Sequence, residues 1–282
     1  MVFARHGGGA GADAEALFSQ VHPVLMLPPI AASGFGSVLA GDFSLSLGVL
    51  HMTAIFAAVY TAHLKDGYVD FYLRGEDDDH PLSKAGCERA LAGASGLFFA
   101  CLAALWYLVS LPAALITLPT WLIAYHHAPQ LDMNPITATS GYPAGIALAI
   151  LGGFYVQAGT VAPIALAFAL VFLVLLSGVK VIDDEQDFEY DSSIDKRTVA
   201  VVLGPEHART GAYGLMTLAL ALVVGFALLG VFPPETTLAV LAFGVVAAIS
   251  RRADSELATM LLVRGSYVFL ALLLAAVWFR PL

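Results

Sequence analysis

Nine stretches of this chain are apolar almost without interruption, roughly 22–41, 43–65, 86–111, 113–125, 143–159, 161–182, 210–232, 236–250 and 265–280. A helix that crosses the hydrocarbon of a bilayer needs roughly 20 such residues. In that solvent the backbone must satisfy its own hydrogen bonds, so the pattern predicts an all-α, polytopic membrane helical bundle of nine transmembrane helices. Composition agrees: 12% of the residues are charged and 59% hydrophobic, against about 25% charged in a soluble domain. Segments 113–125 and 236–250 are short and are expected to be broken, tilted or tucked against neighbours. Pro28-Pro29, Pro112, Pro119 and Pro143 sit at or inside segment edges, where a missing N–H is tolerated only under protein cover.

Residues 1–20 carry one Arg, no continuous apolar run and no secretory cleavage site. They read as a flexible N-terminal tail and not a signal peptide, leaving 21–282 as a single intramembrane domain. Cys87 and Cys101 have neither a disulfide framework nor metal spacing and read as small core residues. With nine spans, every Lys and Arg except Arg280 falls on one side, which the positive-inside rule makes cytoplasmic. All acidic residues except Asp42 and Glu235 fall on that side too, so the chemistry belongs at the cytoplasmic mouth. The net charge of −9 and the lack of a basic patch argue against nucleic-acid binding. The acidic surplus and scarcity of Lys also suggest a high-salt cytoplasm.

The acids are most concentrated in Lys180–Gly204, at the end of the sixth apolar run. If that helix continues, Asp183, Asp187 and Asp191 lie four residues apart on one face, about 5–6 Å from one another. There they repel one another at the negative end of a helix dipole. A divalent cation relieves this, and Mg²⁺ typically takes one or two carboxylates and leaves its other positions to water and phosphate. After the second apolar run Asp66 and Asp70 repeat the spacing, with Arg74 and Lys84 following as Lys196 and Arg197 follow the other pair. Two facing carboxylate pairs can hold several Mg²⁺ ions and clamp a diphosphate, with basic side chains completing the grip. The competing reading for both stretches is a solvated acidic loop. For Glu76-Asp77-Asp78-Asp79 it is the preferred one, since four adjacent acids cannot share a helical face.

These residues resemble the UbiA superfamily of intramembrane prenyltransferases, whose members have nine helices and two aspartate-rich motifs after helices two and six. The second motif, DxxxD followed by a basic-x-Thr segment, is matched by Asp187, Asp191 and Lys196-Arg197-Thr198, with Asp183 as an added acid. Tyr125-His126-His127-Ala128-Pro129 resembles the family's Tyr-x-x-Pro element, and Gly152–Gly159 a segment common among quinone-directed members. The chain departs from the pattern where the first motif's Asn falls at Ala62, where His22 replaces an Arg before Pro, and where Asp195 replaces a Gly. No Lys or Arg follows Tyr125 before the next helix, and Asp132 occupies that region, which disfavours an acidic aromatic acceptor.

The resemblance implies a central cavity capped on the cytoplasmic side. It also implies Mg²⁺ held by Asp66, Asp70, Asp183, Asp187 and Asp191, of which Asp66, Asp70, Asp187 and Asp191 are catalytic. A polyprenyl diphosphate would be gripped by Lys180, Lys196 and Arg197, with Lys65 and Arg74 as lesser candidates. A carbocation would be sheltered by Tyr60, Trp121, Tyr125 and Tyr155. His126 and His127 could position a lipophilic acceptor or take its proton. The acceptor expected is an aromatic quinone precursor, with a glycerol lipid, a carotenoid or a tetrapyrrole as alternatives. From other classes stand a cation transporter and a homologue that has kept the fold without the activity.

Overall fold

The computed structural model describes residues 3–194 and 196–279; Asp195 and Arg280, singled out above, lie outside them. The described residues form twelve α-helices: α1 Gly9–Phe18, α2 Pro23–Leu39, α3 Leu45–Val69, α4 Lys84–Leu108, α5 Leu111–His126, α6 Pro135–Ala158, α7 Pro163–Gln186, α8 Phe188–Ser193, α9 Val199–Leu203, α10 Pro205–Leu228, α11 Thr237–Ser250 and α12 Ser255–Trp278. Each apolar segment overlaps chiefly one helix, α2 to α7 and α10 to α12, with ends that differ. Six helices are long and apolar enough to cross a membrane, or seven if α1 and α2, bent by 69°, form one broken span. At 16 and 14 residues, α5 and α11 fall short of a straight crossing. Several helix starts follow from local chemistry: Ser83, Ser110, Asn134, Thr198 and Asp254 each accept a hydrogen bond from a first-turn amide.

Small residues set the packing. A side chain at Gly36 would meet the Ile150 carbonyl at 2.1 Å, and one at Gly153 the Ser33 carbonyl at 2.2 Å, so α2 and α6 pack backbone to backbone. Close approach of this kind holds helices together where lipid removes the hydrophobic drive. Beside it Phe35, Phe168 and Phe232 stack in series, with ring centroids 5.0 and 3.9 Å apart. Cys87 and Cys101 are free and buried, as small core residues should be.

Pro28 and Pro29 in α2 remove the amides that would have bonded to the Val24 and Leu25 carbonyls. Tyrosines from other helices supply the missing donors: Tyr267 of α12 donates to the Val24 carbonyl, and Tyr142 of α6 to that of Leu25 at 2.9 Å.

The N-terminal segment is not a tail. Asp13 Oδ1 accepts from the Phe3 and Ala4 amides at 2.6 and 2.8 Å, folding the chain back on α1. Ala4 then pairs with Leu82 in an isolated antiparallel bridge. Arg5 lies over the Phe71 ring at 4.4 Å and reaches Asp79 at 3.0 Å, while Tyr60 donates to the Leu17 carbonyl. Ala4 and Ala16 are buried in a cluster with residues of α3 and α4, and Phe3, Ala12 and Leu17 pack partly buried against it, which composition alone did not signal. The segment thus straps the loop that follows α3.

Candidate active site

Six helices line an apolar cavity of about 340 Å³, with Pro28 and Pro29 from α2 and Tyr142 and Ile146 from α6 among the wall residues. On α3 the stripe is Ile55, Ala58, Val59, Ala62, His63 and Asp66; on α7 it is Phe172, Leu176, Val179, Lys180 and Asp183. Thr120, Ile123 and Ala124 of α5 continue to His127, and Val263, Ser266, Tyr267 and Leu270 come from α12. Spacings of three and four residues put each set on a single helical face. The expected aromatic shelter is therefore reassigned. Tyr60, Trp121, Tyr125 and Tyr155 lie off these stripes, and the aromatic walls are Tyr142, Phe172 and Tyr267. Trp121 donates to Ser95 Oγ at 3.1 Å and stacks on Tyr125, over whose ring Lys65 sits at 5.1 Å.

A second, polar cavity of about 310 Å³ is lined by Asp66, Asp70, Asp187 and Asp191 together with Lys180 and Lys196. Asp66, His127 and Lys180 border both cavities and form the neck between them. Both aspartate pairs thus meet at one mouth, and eight of the anticipated residues, Arg74 and His127 included, come together there. Arg197 and His126 are exposed and, like Tyr125, line neither cavity. Residues that were not anticipated at the mouth also line it: Asp184, Glu76, Asp132 and Tyr190.

Asp183 and Asp184 are neighbours about 100° apart around α7, so one faces the apolar cavity and the other the mouth. A break in the helix then parts Asp183 from Asp187 and Asp191. Asp187 has φ −94° and ψ 11°, which ends α7 and starts the short α8 in a new direction. Asp183 stays on the apolar-cavity stripe, while Asp187 and Asp191 turn into the mouth, so the three do not share a face. The i,i+4 spacing from Lys180 was the available signal for Asp184. Lys180 Nζ lies 2.6 Å from Asp184 Oδ1 and 2.8 Å from Asp183 Oδ2.

On the opposite wall, α3 continues through a wide π turn, Asp70–Arg74, that ends at Gly75 in the left-handed region (φ 68°). Arg74 there reaches Asp132 Oδ2 at 2.7 Å, Asp70 Oδ1 at 3.4 Å and Glu76 Oε1 at 3.6 Å. Glu76 is not a solvated acid: it faces this guanidinium, and desolvation of Tyr190, then the Glu76 carboxylate, pushes the Tyr190 hydroxyl up to about 12. Asp77 and Asp78 are exposed, as expected of a solvated loop.

The mouth suits a hard cation. Asp191 is 1% exposed and neither carboxylate oxygen has a partner in hydrogen-bonding geometry, although Lys196 Nζ lies 3.1 Å from Oδ1. Asp184 Oδ2 and Asp132 Oδ1 are also buried without a partner. Partial burial, then the charges of Asp183 and Asp191, hold the Asp187 carboxyl above the usual range. Orphaned buried carboxylate oxygens are costly, and an all-oxygen donor set is what Mg²⁺ prefers. No group of three or more His, Cys, Asp or Glu among the described residues is already gathered to hold a metal ion.

Comparison with known proteins bears on the family and the fold. The sequence model of the UbiA prenyltransferase family matches residues 83–272. A UbiA homologue from Archaeoglobus fulgidus, bound to GPP and Mg²⁺, superposes with TM-score 0.68 at 18% identity, covering 95% of this chain and 99% of that one. The apo UbiA homologue from Aeropyrum pernix K1 gives 0.66 at 16% identity, covering 88% and 98%. A digeranylgeranylglyceryl phosphate synthase gives 0.70 at 13% identity, covering 95% and 96%. At these identities the likeness is one of fold. No curated protein matches the sequence.

Proposed function

Since this chain belongs to the UbiA prenyltransferase family, we propose that it transfers a polyprenyl group from a polyprenyl diphosphate to a neutral lipophilic acceptor at the neck between its two cavities, using Mg²⁺. The observation that carries this reading is the junction itself, where Asp66, His127 and Lys180 join an apolar cavity to a mouth lined with carboxylates. A donor with an apolar tail and a diphosphate head fits such a junction, tail in one cavity and head in the other. Similar structures hold GPP or DMAPP together with Mg²⁺.

Asp66, Asp70, Asp187 and Asp191 would hold the metal, which supplies charge stabilisation for the departing diphosphate. Lys196, and Lys180 at the neck, are placed to meet phosphate oxygens from the side. Arg197 and His126 carry no part in this assignment. The apolar walls, with the faces of Tyr142, Phe172 and Tyr267, keep water from the allylic cation and lend it π density.

For the acceptor, the apolar cavity offers Asp66, Asp183 and Lys180 as its charged side chains, and Lys180 is already committed to two carboxylates. A carboxylate-bearing acceptor would find no free cation there, so we assign an uncharged phenol, hydroquinone or alcohol. The mouth faces the cytoplasm in this reading, as the distribution of Lys and Arg predicts.

The test is transfer of labelled geranylgeranyl diphosphate in native membranes, with and without Mg²⁺. The wild-type chain is expected to give a Mg²⁺-dependent lipid product and Asp191→Asn none. A wild type inert under every acceptor supply would overturn the assignment.

A further inference from the structure

Prenyl transfer leaves one proton over. The donor's C1–O bond breaks with its electron pair leaving on the diphosphate. The acceptor's nucleophilic oxygen or carbon bonds to C1, and the hydrogen on that atom must depart as a proton. Nearly every polar side chain around the apolar cavity is already engaged. The Tyr142 and Tyr267 hydroxyls donate to the α2 carbonyls, Thr120 donates to the Thr117 carbonyl and Ser266 to that of Val263. Lys180 is an ammonium held by Asp183 and Asp184 and has no lone pair to offer. Asp66 is assigned to the metal. Two groups remain, the imidazoles of His63 and His127, neither of which has a hydrogen-bond partner among the described residues.

His127 borders both cavities, which puts its ring where the C1–O bond would break. It sits at the kink where the regular φ/ψ of α5 end, with Ala128 extended at φ −113° and ψ 139°, so its side chain leaves the α5 stripe at the neck. Its backbone is fixed by the Asp132 amide, which donates to the His127 carbonyl at 3.0 Å. His63 lines the same cavity from α3, which packs against the turn His127–Leu131. The rings of His63 and His22 stand with centroids 4.8 Å apart, and His22, at the N-terminal end of α2, is exposed. A separation of this size is bridged directly or by one water.

We propose that His127, His63 and His22 form a proton exit: His127 takes the proton released by the acceptor, and His63 and His22 hand it to solvent. The inference rests on the prenyl-transfer reading. An imidazole suits the task because one ring nitrogen accepts while the other donates, so a proton can enter at one edge and leave at the other. Around the path lie Asp66 and Lys180 at the neck and Asp183 on the facing α7 stripe.

The assay is the same labelled geranylgeranyl diphosphate reaction in native membranes, with released diphosphate and prenylated lipid measured separately. His127→Ala is expected to lower transfer by about 100-fold, in the range of a lost general base. Diphosphate release continues, label accumulates as geranylgeraniol, and added imidazole restores transfer. His127→Gln, which keeps the size and polarity of the side chain, is expected to show the same loss of coupling. His22→Ala is expected to slow transfer only in dilute buffer, with concentrated imidazole buffer restoring it.

Wild-type coupling in both His127 variants overturns the proposal. So does joint loss of release and transfer that imidazole leaves unchanged, because that marks a wall residue and not a base. A His22→Ala rate equal to wild type in dilute buffer removes the exit. A wild type that releases no diphosphate with Mg²⁺ sinks the transfer reading, and the relay with it, which separates that failure from failure of the relay alone.

Discussion

The two acidic stretches begin alike, each a pair of aspartates four residues apart at the end of an apolar helix, but their charge is managed differently. Around Asp70 the carboxylates already have a cation: Arg74 touches Asp70, Glu76 and Asp132. Around Asp187 the basic residues are spent unevenly. Lys180 is taken by Asp183 and Asp184, while the buried oxygens of Asp191 are left without hydrogen bonds. One wall of the mouth is balanced by a single guanidinium, whereas at the other Lys196 stands 3.1 Å from Asp191 Oδ1 outside hydrogen-bonding geometry, the wall to which the proposed function assigns a metal ion. Repeated sequence spacing therefore need not mean repeated roles.

The comparison breaks first at the aspartates. Asp187→Asn and Asp191→Asn should each lower Mg²⁺-dependent transfer by about 10³-fold, the loss expected when several kcal/mol of metal-borne charge stabilisation disappear. Asp70→Asn should cost less, because Arg74 remains to meet a phosphate oxygen. Equal losses at Asp70 and Asp191 would show that the two walls do the same work.

Next comes Arg74→Ala, which leaves the 9%-exposed side chain of Asp132 facing Asp70 and Glu76 without a countercharge. Removing one partner of a mostly buried pair costs about 3 kcal/mol, readable as a lowered thermal midpoint of the purified protein. A midpoint within error of wild type would mean that solvent already screens this wall.

The third expectation concerns pH. With the Asp187 carboxyl held above its ordinary range, the metal-free native state binds more protons than the unfolded chain across the acid-to-neutral window. Metal-free stability is thus present at low pH and is lost as pH rises through the folded-state value. Melting in EDTA should weaken from mildly acid pH towards neutrality, and Mg²⁺ should flatten the slope by occupying the same oxygens. A slope unchanged by Mg²⁺ would detach the metal from this wall. The smallest effect is expected at Asp78→Asn, on the exposed part of the first stretch, with stability unchanged within about 0.5 kcal/mol and activity at wild-type level.

Much of this arrangement could be read before any coordinates. Apolar runs located the long helices, although α6 begins at Pro135 and α12 at Ser255, well before the runs at 143 and 265, and the four-residue repeats at Asp66/Asp70 and Asp187/Asp191 marked both walls. What escaped was whatever depended on a backbone irregularity or a helix's rotation. The rotation of α7 turned Asp184, not Asp183, to the mouth, and the helix break at Asp187 parted Asp187 and Asp191 from the face of Asp183. The rotation of α5 placed Thr120, Ile123 and Ala124 on the cavity and turned Trp121 and Tyr125 away from it. Glu76 and Asp132 became mouth residues through Arg74, a long-range pairing across 58 positions of chain that no local pattern encodes. The N-terminal segment was misread because its hold on the fold lies in backbone pairing with Leu82 and in Asp13, with little apolar mass to announce it.

The proline pair in α2 bears on how the molecule is made. The carbonyl that Pro28 leaves open, at Val24, finds its donor in Tyr267, 243 residues further along. Until α12 emerges from the ribosome and docks, that end of the first long helix has to borrow hydrogen bonds from water or from neighbours it will later release. Closure of the cavity wall is therefore an event at the end of synthesis. A chain stopped short of Tyr267 would carry most of its apolar helices and still lack a sealed chamber.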